Sequence, residues 1–128
     1  MARLALAPVA SAKKYHFGTF PPEALMALAG YVAYFAAIVK EEEGITAVFE
    51  EAAKESLKLY SQKDFMGPFC LIAFSATTGL NETGITAAAS KALAKEGIPA
   101  NFMSGFYHDC VLVPFKSKEK ALSVLSKL

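Results

Sequence analysis

Apolar positions along the chain fall into runs of two kinds. Tyr15-His-Phe-Gly-Thr-Phe20 alternates large apolar residues with others and predicts a strand. Pro21-Pro22-Glu23 opens a short helical turn that runs through Ala29 and ends at Gly30, with proline where a first-turn N–H has no partner anyway. Tyr31–Val39 and Ile45–Phe49 are rich in aromatic and β-branched residues, and the charged connection Lys40-Glu-Glu-Glu-Gly44 joins them as a hairpin. Glu50–Leu57 is alanine-rich and charged and predicts a helix, while Lys58–Phe65 leaves room for a short strand. Ahead of all these, Arg3–Val9 is expected to form a short helix.

Met66-Gly-Pro68 punctuates the chain and sets a boundary between expected units at residues 1–66 and 67–128. Beyond it, Phe69-Cys-Leu-Ile-Ala-Phe74 is a continuous apolar run, the mark of a strand covered on both faces. Ser75–Leu80 is a loop of small residues. Asn81 is the expected N-cap of a helix that places Ile85, Ala89, Ala92 and Leu93 on one face, and Gly97 is its left-handed stop. Pro99–Tyr107 and Cys110–Phe115 predict two strands around a Tyr107-His108-Asp109 corner. Ser117 then caps a last helix with Ala121, Leu122, Leu125 and Leu128 as its apolar stripe. Both halves therefore read strand–helix–strand–strand–helix, an α+β, ferredoxin-like βαββαβ plan used twice, the second copy lacking its own closing strand. The first half or another subunit must cover that sheet edge.

Composition narrows the partners. Hydrophobic residues are 54% of the 128 and charged residues 20%, which excludes disorder and leaves more apolar surface than a small globule hides, so a homodimer is expected. Thirteen Lys and Arg against 12 Asp and Glu give a net charge of +1, with no basic excess to bind nucleic acid. Ala24–Val39 carries one charge-free stretch, but it is shorter than the ~18–20 residues of a membrane span and Gly30 divides it, so no membrane partner is expected. The first twelve residues mimic a signal peptide, yet Pro8 breaks their short apolar stretch. Cys70 and Cys110 sit in apolar runs and read as buried thiols of a reducing compartment, which places the protein in the cytoplasm. With His16 and His108 as the two histidines, no zinc-like spacing occurs, and neither a metal nor another cofactor is expected.

Several segments together resemble a small-protein branch of the ACT-domain superfamily: Glu41-Glu-Glu-Gly-Ile-Thr-Ala-Val48, Gly67-Pro-Phe69, Gly79-Leu-Asn-Glu-Thr-Gly-Ile-Thr-Ala87, Leu93-Ala-Lys-Glu-Gly-Ile98, Asn101-Phe-Met-Ser-Gly-Phe-Tyr-His-Asp109 and Leu112-Val-Pro114. The chain is also similar to the ACT-type domains of cytosolic arginine sensors, which share a Thr-Gly-Ile helix start and a strand corner ending in Asp before Leu-Val-Pro. The resemblance covers most of the chain and is strongest from Lys40 onward. It implies a pair of ACT-like modules and amino-acid or other small-ligand sensing.

The site expected from the residues is the start of the Asn81–Ile85 helix facing the Ser104–Asp109 strand end. Unpaired N–H groups and the helix dipole suit an amino acid's carboxylate there, and Gly84 clears the approach to the backbone. Asp109 offers the opposite charge to an amino or guanidinium group. The candidate ligand-binding set is Asn81, Glu82, Thr83, Gly84, Ile85, Ser104, Tyr107, His108 and Asp109. Plainer roles stand beside it: Gly84 for close helix packing, Asn81 as a cap, Asp109 as a turn former.

Other constellations carry less. His108 and Cys110 would share a strand face and invite a nucleophile reading, but no cation flanks Cys110, so no catalytic residue is expected. His16 in its hydrophobic strand reads as structural. Glu41-Glu42-Glu43 reads as a solvated hairpin tip, the aromatic set Tyr31, Tyr34 and Phe35 as core or interface, and Ser75–Gly79 lacks the lysine of a phosphate loop. A pure dimerisation or protein-interaction module is the alternative to a ligand-binding protein.

Overall fold

Strand β1 (Pro8–Phe20) begins well before the alternating run that predicts it, and it takes Pro8 and Val9 from the expected N-terminal helix. The computed structural model describes residues 6–75 and 83–128. After β1 come α1 (Leu25–Ala29), β2 (Phe35–Lys40), β3 (Ile45–Glu50), α2 (Lys54–Leu57), β4 (Met66–Phe74), α3 (Ile85–Lys95), β5 (Asn101–Ser104), β6 (Asp109–Pro114) and α4 (Lys118–Ser126). The chain divides into two compact units, one of residues 13–68 and one of residues 1–12 with 69–128, and the division falls inside β1.

In the unit of residues 13–68, β1 and β2 both pair antiparallel with β3. His16, Gly18 and Phe20 lie opposite Phe49, Ala47 and Ile45, so one face of the pleat carries all six. Phe20, Ile45, Ala47 and Phe49 on that face pack with Ala24 and Leu28 of the first helical turns and with Ala53 and Leu57 around α2. The expected hairpin forms, and Glu41 and Gly44 exchange backbone hydrogen bonds across its tip (2.8 and 3.3 Å). Two expectations are corrected here. Tyr31–Tyr34 is a turn rather than strand, because Tyr31 and Tyr34 N–H groups bond back to Leu28 and Tyr31 carbonyls (both 2.9 Å), satisfying the backbone locally whatever the β-propensity of the side chains. Lys58–Phe65 holds no strand; a 3-10 turn over Lys58–Tyr60 continues α2, and a loop follows.

The second unit repeats the order strand, helix, strand, strand, helix in β4, α3, β5, β6 and α4. β6 pairs antiparallel with both β4 and β5, and β1, whose first residues belong to this unit, neighbours β4 in strand order. The edge expected to need a cover is therefore met by the chain's own beginning, where Ser75 N–H donates to the Ala7 carbonyl at 3.0 Å. From Phe69 onward β4 alternates half-buried and buried residues instead of being closed on both faces. Cys70, Ile72, Phe74, Val111 and Val113 form the fully buried face. Ala89 and Leu93 of α3 and Ala121 and Leu125 of α4 pack against it, as their spacing predicts. Burying each of the two leucines contributes roughly 1.5–3 kcal/mol, far above any difference in helix propensity, so packing sets how these helices lie.

Helix α3 ends as the sequence predicts. Gly97 is left-handed (φ +71°), its N–H bonds to the Ala94 carbonyl at 2.9 Å, and Ile98 N–H reaches the Leu93 carbonyl at 3.0 Å. Ile98 and Leu93 are both buried in the same core, the hydrophobic contact that accompanies this paired-bond stop. Ser117 takes the N-cap position of α4 but makes no side-chain bond to it. The architecture is α+β, antiparallel sheet backed by helices, in the ferredoxin-like class that the pattern predicts.

Candidate functional site

Helix α3 starts at Ile85, with Gly84 rather than Asn81 at the N-cap. Asn81 and Glu82 lie outside the described residues. Gly84 is left-handed (φ +88°), a conformation that costs any residue with a Cβ, and a Cβ built there would meet nothing within 4 Å. Its carbonyl accepts the first intrahelical bond, from Ala88 N–H at 2.9 Å, and among the described residues no side chain caps the helix. Thr83 and Gly84 are exposed, while Ile85 is half-buried against the core. A helix of this length leaves its first N–H groups without intrahelical partners and carries partial positive charge there.

Ser104 and Asp109 face each other where the β5–β6 hairpin closes, and Gly105 N–H bonds to the His108 carbonyl at 2.9 Å across the turn. β5 stops at Ser104, three residues short of the expected Tyr107, because this tight turn takes Gly105 out of the ladder. Ser104, Tyr107 and His108 are exposed and Asp109 is half-buried. Phe106 and Tyr107 meet edge to face (4.9 Å between centroids) while remaining 76% and 68% exposed.

The nucleophile reading finds no support in the local chemistry. Burial pushes the Cys110 thiol up, and the neighbouring Asp109 charge adds to the shift; Cys70 is likewise raised by burial. Both cysteines are free. Among the described residues, no group of three or more His, Cys, Asp or Glu side chains is placed to hold a metal, and no helix is long and apolar enough to cross a membrane.

Two features of the unit of residues 13–68 were not singled out from the sequence as sites. His16, 3% exposed, stacks on Phe49 (6.0 Å) and points Nε2 at Glu51 Oε1, 3.1 Å away. A recess of about 740 Å3 lies beside α2, lined by Lys54, Lys58, Ser61, Lys63, Asp64 and Phe65 among others. The available signal for the second was the recurrence of lysine at 54, 58 and 63, with the first two at helical spacing.

The family model of the ACT domain matches residues 70–127. A Vibrio cholerae protein of unknown function, described as a possible transport protein, is 31% identical, with 96% of this chain and 89% of that one aligned at a TM-score of 0.78. The alpha and beta subunits of an aspartokinase share the fold at 16% identity (94% and 95% covered, TM-score 0.76). So does the regulatory subunit of aspartate kinase from Thermus thermophilus in its ligand-free form, at 13% identity, 92% of both chains covered and a TM-score of 0.69. A search of curated proteins gave no match.

Proposed function

This chain belongs to the same family as the Vibrio cholerae protein, and its residues 70–127 match the ACT domain; from that premise we propose that it is a non-enzymatic regulatory protein that binds an amino acid at the start of α3. The observation that supports the reading is the glycine-led helix start: Gly84 is left-handed and open on its Cβ side, and among the described residues no side chain caps the first turn. An α-carboxylate meets both the donors and the dipole there. Asp109, with Ser104, Tyr107 and His108 around the hairpin turn, supplies the polar and negative groups for an ammonium or guanidinium. Asn81, Glu82, Thr83 and Ile85 belong to the same set. The two repeated element orders are read as ACT-like units in tandem, in a cytoplasmic homodimer, with the ligand favouring one packing of units over another.

Calorimetric titration of the twenty amino acids tests this, with Asp109→Ala as the matched variant. A basic or zwitterionic hit whose affinity falls in Asp109→Ala, with an unchanged circular dichroism spectrum, supports the assignment; unchanged binding removes it. A protein-interaction module is the second reading, favoured by the exposed, edge-to-face Phe106–Tyr107 pair, since large aromatic side chains are enriched among the anchors of protein contacts. Silence across the amino acids selects it.

A further inference from the structure

The recess beside α2 gathers positive charge in a chain whose net charge is only +1: Lys54, Lys58 and Lys63 line it with one carboxylate, Asp64, giving the lining 3 − 1 = +2, while Glu55 beside Lys58 and Glu51 near Lys54 lie outside the lining. Lys54 and Lys58 are four residues apart and share one helix face, a spacing at which like charges repel, so folding by itself disfavours the pair. Lysines near a helix C-terminus do offset its dipole, but Lys63 lies beyond the helix in the following loop. Lys58 Nζ donates to Glu55 Oε1 at 3.0 Å in an exposed pair that a competing anion can replace. Among the described residues, Lys54 and Lys63 make no ion pair.

The walls are fixed. Ser61 Oγ lies 2.7 Å from the Lys63 carbonyl oxygen and 3.2 Å from that of Thr19, and it accepts the Lys63 N–H at 3.3 Å. This ties the lysine-bearing loop back to β1. Phe65 packs edge-on to Phe49 (4.9 Å, 73°) and lies 6.0 Å from Phe20, so its half-buried ring is a rigid apolar wall. A volume of about 740 Å3 falls in the range of small-molecule sites, which pair apolar surface with a few converging charges.

We propose that this recess is a second binding site, for a small organic anion that carries at least two negative charges and a flat apolar part lying against Phe65; an aromatic di- or tricarboxylate is the simplest chemistry that fits. Three lysine ammoniums act as movable point charges and suit separated carboxylates. The site lies in the unit of residues 13–68 and does not depend on the α3 reading.

The test is calorimetric titration of the full chain with benzene-1,3,5-tricarboxylate, citrate and inorganic phosphate at low and moderate salt. Expected are saturable binding of the aromatic tricarboxylate, weaker binding of citrate, and weaker still of phosphate. The Lys54→Gln/Lys58→Gln/Lys63→Gln variant should lose about tenfold or more in affinity, whereas removing three exposed lysines elsewhere (Lys116→Gln/Lys120→Gln/Lys127→Gln) should not. Phe65→Leu should narrow the preference for the aromatic probe over citrate. No saturable binding of any probe, equal losses in the two triple variants, or phosphate binding as well as the aromatic tricarboxylate would each overturn the proposal.

Discussion

His16 Nε2 lies 3.1 Å from Glu51 Oε1, a link between β1 and the turn after β3 that spans 35 residues of sequence. The imidazole is buried and the carboxylate is half in water, with side-chain exposures of 4% and 49%. A buried ring nitrogen without this acceptor would lose its partner, which is costly in a low-dielectric interior. The hydrogen bond from His16 holds the Glu51 carboxyl below its ordinary value, helped by the Lys14 and Lys54 charges and opposed by partial desolvation.

A pH dependence follows with a definite sign. Because the folded-state value of Glu51 is depressed, its contribution to stability is present above the unfolded carboxyl's pKa and is lost as pH falls through the folded-state value. Glu51→Gln should therefore lower the melting midpoint at neutral pH, and the gap to the parent protein should close in acid, below the ordinary carboxyl range. Thermal unfolding by circular dichroism at pH 7 and in the acid range reads this directly. A gap that persists in acid would assign the loss to packing instead.

Replacing His16 itself probes the other side of the pair. The ring fills space against Phe49, so His16→Ala removes both the stack and a buried donor. A loss of about 2–5 kcal/mol is expected from the cavity and packing terms together. Urea melts of His16→Ala, Glu51→Gln and the double variant should be non-additive, since removing either partner already breaks the bond.

The glycines that flank α3 separate backbone strain from site chemistry. Gly84 (φ +88°) and Gly97 (φ +71°) both have open space where a Cβ would stand, so alanine at either costs only the conformational term, about 1–2 kcal/mol. Urea unfolding should show similar losses for Gly84→Ala and Gly97→Ala. Amino-acid affinity, if it resides at the start of α3, should fall in Gly84→Ala alone. Equal affinities in the two variants would move the ligand elsewhere.

The sequence predicts elements well where one signal dominates. Leu93-Ala-Lys-Glu-Gly97-Ile98 carries helical spacing, a glycine stop and a trailing apolar residue, and all three appear as a paired-bond helix end. It fails where signals compete. Tyr31–Tyr34 has strand-forming side chains, but the turn that leaves α1 captures its N–H groups first. Asn81 has the chemistry of a cap, yet Gly84 starts the helix, and no local pattern distinguishes a capping side chain from a left-handed glycine three residues on. The candidate site was legible only as helix start and strand corner. The lysine recess was not, because Ser61, Lys63 and Phe65 reach their places through contacts with β1 and β3 that are remote in sequence.

Thiol chemistry offers a prediction that bears on catalysis. Burial raises both cysteines, and Cys110 also feels the Asp109 charge, so each is a poor nucleophile at neutral pH. An aromatic disulfide reagent should label the folded protein slowly, Cys110 ahead of Cys70 because Cys70 is fully buried, and both rapidly in denaturant. A fast-reacting Cys110 at pH 7 would reopen the nucleophile reading.

The edge strand β2 gives the last prediction. β2 pairs with β3 along one side, and Ile38 and Val39 are adjacent yet 45% and 50% exposed, so apolar side chains stand out on both faces of an edge. Edges of this kind are templates for another strand unless charge or proline blunts them, and Lys40 is the only charge in β2. If the proposed homodimer pairs through this edge, Ile38→Lys/Val39→Lys should leave the far-ultraviolet spectrum intact, since neither side chain supports the core. The same variant should halve the mass measured by light scattering. A variant that stays dimeric would place the subunit contact on another surface.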